Sequence, residues 1–205
     1  MRIERITASG RDRYTVTLES GAALEITDRE LLRFGLRAGD LLDEQIWEQL
    51  RESASLSHVK GKAADLIGRR AMSRATLEKK LREKGASEAE TRYAAEWLEA
   101  IGAINDAEYA ALLVRHCAGR GYGPARVREK LYEKGIPREL WDEALETMPD
   151  PAEQIDRFLQ EKLRGRTPDE KGEKTRLSDA LLRRGFGWGD VKAGLNRLGA
   201  ELYEE

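Results

Sequence analysis

The chain has 205 residues, 40% of them hydrophobic and 36% charged, with 36 Lys and Arg against 38 Asp and Glu for a formal net charge of −2. That supports a folded core in one large domain or two or three small ones. The charged fraction, well above the usual quarter, points to long solvated helix faces or a narrow body with much surface. No stretch approaches the roughly 20 apolar residues that span a bilayer, and Met1-Arg2-Ile3-Glu4-Arg5 opens no secretory signal.

The first 27 residues read as strands. A first strand near Arg2 to Ala8 is followed by the turn Ser9-Gly10-Arg11-Asp12. Tyr14, Val16 and Leu18 then alternate with Thr15, Thr17 and Glu19, and Ala22, Leu24 and Ile26 with Ala23, Glu25 and Thr27. That period of two is the mark of half-buried strands, and Glu19-Ser20-Gly21 turns between them, giving a small meander. Thr27-Asp28-Arg29-Glu30 fits a capping box for a short helix that stops at Gly35. Asp43 looks like the cap of a helix through about Glu52, and the small polar run Ser53-Ala54-Ser55-Leu56-Ser57 reads as a linker.

From about residue 58 onward the signals are helical. Ser87-Glu88-Ala89-Glu90 is a second capping box, and Asp150-Pro151-Ala152-Glu153 and Thr167-Pro168-Asp169-Glu170 each set a cap residue before a first-turn proline. Pro124 and Pro137 are expected in the same place. Gly85, Gly135 and Gly185 sit where helices should end in a left-handed residue.

Those glycines are spaced 50 residues apart, and the frames before them match: Leu77, Leu81, Gly85; Val127, Leu131, Gly135; Leu177, Leu181, Gly185. Each middle helix ends on a basic residue, which suits the negative end of a helix dipole. A fixed period of this size marks stacked repeats, here three units of three helices. The expectation is a mainly α protein: three tandem three-helix repeats in an elongated, curved array, preceded by a small N-terminal β-meander with short helices. Its parts are 1–56 (meander and short helices), 57–103, 104–148 and 149–205 (repeats one to three).

Charge is uneven. Residues 1–56 balance at −3 and 57–103 at +3, and within the latter the stretch from Arg69 to Lys84 reaches a local +5. A basic face of this kind engages a phosphate backbone or an acidic protein surface, or is simply a solvated helix face.

The run Arg120-Gly121-Tyr122-Gly123-Pro124-Ala125-Arg126-Val127-Arg128-Glu129-Lys130-Leu131-Tyr132-Glu133-Lys134-Gly135-Ile136 resembles the central signature of the RecX family of recombinase regulators. Ile104-Asn105-Asp106-Ala107-Glu108-Tyr109-Ala110 is similar to the stretch that precedes it there. Arg70-Ala71-Met72-Ser73-Arg74 with Leu77 to Gly85, and Glu173-Lys174-Thr175-Arg176 with Leu181 to Phe186, resemble the outer repeats' elements. The likeness covers roughly residues 58–200; the meander looks like an extension found in part of the family. Thr76 stands where the family often has an acidic residue, and Gly187, Gly189 and Gly194 weaken the last helix.

The resemblance implies a non-enzymatic modulator of RecA. It would bind the RecA filament on single-stranded DNA along its groove and inhibit ATP hydrolysis, strand exchange and coprotease activity. It would thereby act in recombination, DNA repair and the SOS response. The residues this assigns to filament or DNA contact are Arg70, Arg74, Lys79, Lys80, Arg82 and Lys84 in the first repeat. In the second they are Arg120, Tyr122, Arg126, Arg128, Lys130 and Lys134, and in the third Arg176, Arg183 and Arg184. Glu129 and Glu133 offer local ion pairs instead, and Tyr122 is as readily a packing plug for its loop.

The competing reading is a stand-alone helical nucleic-acid-binding module. Trp97, Trp141 and Trp188 suit burial between repeats better than base stacking. Adjacent His116 and Cys117 point about 100° apart on a helix and make a poor nucleophile pair. One cysteine and two histidines allow no internal disulfide and no Cys/His metal cluster, and no phosphate-binding loop or HExxH motif is present. A monomeric, cytoplasmic regulator with no cofactor and no membrane contact is expected.

Overall fold

In a computed structural model the chain is described over residues 1–164 and 171–201. Strands β1 (Ile3–Ala8), β2 (Arg13–Leu18) and β3 (Ala23–Thr27) form an antiparallel sheet in that order, with Ile6 opposite Val16 and Val16 opposite Leu24. The alternation seen in the sequence delivers Ile3, Val16, Leu18 and Ile26 to one face, where they are buried with Leu36, Leu42, Trp47, Leu50 and Ala54. Burying each such side chain contributes about 1.5–3 kcal/mol, so this small sheet is held mainly by what covers it.

The cover begins with α1 (Asp28–Phe34), started by the Thr27/Glu30 capping box and stopped by left-handed Gly35. Glu30 is almost fully buried. One of its carboxylate oxygens accepts from the Thr27 amide (2.8 Å) and hydroxyl (2.7 Å). The other accepts from Ser53 (3.2 Å) and Ser57. These serines lie in α2 (Glu44–Arg69), a single 26-residue helix capped by Asp43. The linker expected at Ser53–Ser57 is therefore a helical turn. Ser53 and Ser57, four residues apart, face Glu30; Ala54 is buried; Ser55 donates to Glu90. Small polar residues serve here because a buried carboxylate must be hydrogen-bonded.

The remaining described elements are helices α3 (Arg74–Glu83), α4 (Glu88–Ala100), α5 (Asp106–Gly119), α6 (Pro124–Glu133), α7 (Trp141–Leu145, after a 3-10 turn Arg138–Leu140), α8 (Pro151–Leu163), α9 (Lys171–Arg183) and α10 (Trp188–Glu201). They fall into the expected triplets, with α2 through α4, α5 through α7 and α8 through α10. The middle helices bury the matched pairs Leu77/Leu81, Val127/Leu131 and Leu177/Leu181, and each ends at a left-handed glycine, φ 88° at Gly85, 65° at Gly135 and 89° at Gly185.

Ser87, with Glu90, and Asp150 cap α4 and α8 as expected, and Pro124 opens α6. Pro137 instead precedes the 3-10 turn, and α7 spans one turn, shorter than expected, ahead of Pro149. The start signal at Thr167–Glu170 lies outside the described residues. Gly194 does not break α10: a Cβ there would lie 2.5 Å from Ile155 Cγ2, so the glycine lets α10 pack closely on α8.

The chain divides into two compact units, Met1–Ala71 with Leu77–Ile104, and Met72–Thr76 with Asn105–Glu205. In the first, α2 packs on β3 with its N-terminal half and against α4. In the second, α5 packs on α6 and α7 around Ala110, Val114, Val127 and Leu131, and α8 packs on α10 around Ile155, Leu159, Leu181 and Val191.

Candidate functional site

Within the second unit, the signature loop is the joint between two repeats. After α5 the chain turns through Arg120 and left-handed Gly121 (φ 71°). It then enters α6 at Gly123, which has no side chain to cap the helix. The uncapped amides find partners elsewhere: Gly123 N–H donates to Arg184 O (2.8 Å) and Ala125 N–H to Gly185 O (3.1 Å). The first amides of α6 and the last carbonyls of α9 therefore satisfy each other. The approach is so close that a Cβ on Gly123 would stand 2.6 Å from the Gly185 carbonyl carbon and oxygen and the Phe186 nitrogen.

Fifty residues earlier the same relation recurs. Ser73 accepts from the Thr76 amide (3.1 Å) at the start of α3 and donates its hydroxyl to Lys134 O. A Cβ on Gly135 would meet Ala75 Cβ at 2.6 Å. The Arg74 amide is taken by Asp106 Oδ1 (2.8 Å). Residues 73–75 and 123–125 thus play one part, and 134–135 and 184–185 the other.

Beside the second joint lies a cleft of about 530 Å³ lined by Arg120, Tyr122, Phe158, Lys162, Ala180, Arg183 and Arg184. Among the described residues, four cations and two aromatic rings line it, and no carboxylate does. Arg184 is held in place: its guanidinium donates to the carbonyls of Arg120 (3.2 Å) and Gly121 (3.3 Å) and lies 4.9 Å from the centre of the Phe158 ring. Lys162 Nζ is 5.9 Å from the same ring. Arg120, Lys162 and Arg183 are exposed, while half-buried Tyr122 packs against the α5–α6 core, as a plug for its loop would. The helix-end carbonyls beside the cleft would repel an anion, but those of Arg184, Gly185, Arg120 and Gly121 each accept a hydrogen bond. Concentrated positive charge in a concave site focuses the field on an anion.

The structure thus brings together four residues singled out in the sequence, Arg120, Tyr122, Arg183 and Arg184. It adds Phe158 and Lys162, which the sequence reading missed. Their only local signal is an aromatic–cation pair four residues apart on α8. The other α6 cations are engaged locally: Arg126 pairs with Glu129, and Lys130 with Glu133 (2.6 Å). Arg128 and Arg176 are exposed, and Lys134 is half-buried.

In the first unit, Lys79, Lys80 and Lys84 are exposed on and just after α3, and Arg82 lies 3.9 Å from Glu78. Arg70 is exposed at the end of α2, while Arg74, at the start of α3, is half-buried.

The remaining candidates resolve as follows. Trp97 and Trp141 are half-buried, and the Trp141 indole donates to Ile136 O (3.0 Å). Trp188, at the start of α10, is 61% exposed among the described residues, against the expectation of burial. Cys117 is buried, and burial pushes its thiol up despite Lys130 and Arg120, the opposite of what a nucleophile needs. Among the described residues, no group of His, Cys, Asp and Glu could hold a metal ion, and no helix is long and apolar enough to cross a membrane.

Residues 105–145 match the family model described as RecX, second three-helix domain. A regulatory protein RecX of Pseudomonas entomophila is 32% identical over 147 residues, covering 71% of this chain and 94% of the relative. Another, from Ectopseudomonas mendocina, is 35% identical over 129 residues, 62% of this chain and 86% of the relative. A crystal structure of regulatory protein RecX superposes with a TM-score of 0.73 at 24% identity over 95% of this chain and 98% of its own. That of RecX from Lactobacillus salivarius gives 0.64 at 24% identity over 71% and 97%. At that identity the two structures speak for the fold alone.

Proposed function

This chain belongs to the RecX family of regulatory proteins, and from that premise we propose that it binds the RecA filament on single-stranded DNA, along the filament groove, and inhibits ATP hydrolysis, strand exchange and coprotease activity. It acts as a regulator rather than an enzyme, as a cytoplasmic monomer, in recombination, DNA repair and the SOS response. The family match over most of the relative's length carries the reading. The site chemistry supports it: a cleft of Arg120, Lys162, Arg183 and Arg184 in the second unit, and exposed Lys79, Lys80 and Lys84 in the first, are two cationic surfaces for a polyanionic filament. The repeats 57–103, 104–148 and 149–205 are the contact modules in this proposal, and residues 1–56 are an extension that buries its own core.

The test is RecA ATP hydrolysis on single-stranded DNA, titrated with this protein. A fall in rate at protein well below RecA is expected, because a ligand spanning neighbouring subunits acts on more than one. An unchanged rate at excess protein sinks the proposal.

A further inference from the structure

We infer that the cleft between the Arg120–Pro124 loop and helices α8 and α9 is a direct site for a single-stranded nucleic-acid backbone. A phosphate would lie among Arg120, Lys162 and Arg183, with an unpaired base against the aromatic side of the cleft. The inference rests on the filament reading for where the strand is met, and it divides the labour there: this cleft takes the strand, not the recombinase.

Four observations carry it. Among the described residues the lining holds four cations and no carboxylate, a concave surface that concentrates its field on an anion. The cations are unlike one another in freedom. Arg184 is anchored by two carbonyls and lies 4.9 Å from the centre of the Phe158 ring, so it supplies fixed charge. Arg120, Lys162 and Arg183 are exposed and, among the described residues, form no salt bridge, so they can turn towards phosphate oxygens. Two aromatic residues, Tyr122 and Phe158, sit among them, and cations interleaved with rings are what single strands require.

The fourth observation is the repeat itself. In the register of the middle helices, Arg183 corresponds to Glu133 and Ala180 to Lys130, and in the second repeat Lys130 and Glu133 are bound to each other at 2.6 Å. Tyr122 corresponds to Met72. The C-terminal end of α6 therefore has an ion pair where, among the described residues, the arginine of α9 is in none. A requirement of the fold alone would apply to both ends, so the change of charge at α9 is a property of this cleft.

The experiment is anisotropy of a labelled oligothymidylate titrated with the full chain across a salt series, without RecA. The double reversal K162E/R183E alters two exposed side chains, and R115E/K192E, outside the cleft lining, carries the same change in net charge. The first is expected to weaken binding at least about tenfold and flatten the slope of log K against log salt by roughly 1.4, two contacts at about 0.7 each for a single strand. The control should stay within about twofold of the wild type. The neutral pair K162Q/R183Q, which imposes no repulsion, should fall between wild type and reversal.

Equal loss in both reversals would show a response to net charge alone and overturn the site. So would wild-type binding by K162E/R183E, or a wild type that ignores the strand at low salt. Displacement by polyglutamate as effective as by unlabelled strand would reassign the cleft to an acidic protein surface and likewise overturn it. The two proposals fail separately. Strand binding through the cleft with no effect on RecA ATP hydrolysis removes the filament reading only. Inhibition with K162E/R183E binding the strand as wild type removes the strand site only.

Discussion

Replacing Gly123 by alanine isolates the joint between the second and third repeats. The backbone at Gly123 has φ −78° and ψ 170°, an extended conformation that alanine adopts without strain, so any cost comes from space. The new methyl would stand 2.6 Å from three backbone atoms of Gly185 and Phe186. Backbone cannot turn aside as a side chain can, so the joint must open. Opening stretches or breaks Gly123 N–H to Arg184 O and Ala125 N–H to Gly185 O, each contributing about 1 kcal/mol net. Residual overpacking adds about 1–3 kcal/mol.

The expected loss is about 3–5 kcal/mol in the stability of the second unit. At roughly 2–4 °C per kcal/mol for a chain of this size, thermal unfolding by circular dichroism should fall by at least about 6 °C. Gly68 supplies the opposite sign. It lies inside α2 with nothing within 4 Å of an added Cβ, so Gly68→Ala should stabilise by about 0.5–1 kcal/mol through helix propensity. A Gly123→Ala protein that unfolds within about 0.5 kcal/mol of wild type would refute the steric argument.

Two further outcomes concern the first unit. Burial alone would raise the Glu30 carboxyl, but the hydrogen bonds from Ser57, Thr27 and Ser53 outweigh it and hold the group below its usual value. A lowered folded pKa contributes stability above the unfolded value, near 4.3, and loses it as pH falls through the folded value. Glu30→Gln should thus cost about 1–3 kcal/mol at neutral pH. The gap to wild type should narrow in urea titrations as pH falls below about 4.3; a gap independent of pH would contradict the assignment. Separately, K79E/K80E/K84E reverses three exposed charges and should raise the concentration for half-inhibition of RecA at least about tenfold with helicity unchanged. Retained inhibition in the folded variant removes the α3 face from the site.

Features set by short-range rules could be read from the sequence. The alternation of Tyr14, Val16 and Leu18, the Thr27–Glu30 and Ser87–Glu90 boxes, and the glycines 50 residues apart each depend on a few neighbours along the chain, and each stands as expected. The serine run of α2 misled because its reason, a carboxylate more than 20 residues away, is not local. The cleft was half legible. Arg120, Tyr122, Arg183 and Arg184 belong to the signatures, whereas Phe158 and Lys162 enter only because α8 is brought beside that loop. The glycine spacing carried more than was taken from it: read as a set of helix stops, it also marks where one repeat's middle helix meets the next.

That meeting has a direction in time. The first amides of α6, at Gly123 and Ala125, are completed by carbonyls at Arg184 and Gly185, which the ribosome adds about sixty residues later. At roughly 5–20 residues per second the nascent second repeat waits about 3–12 s with the start of α6 open to solvent. The first repeat's joint, made by Ser73 with Lys134, imposes the same delay one step earlier. Synthesis thus runs ahead of completion by one repeat at both joints, and the third repeat is the one that lets the second finish folding.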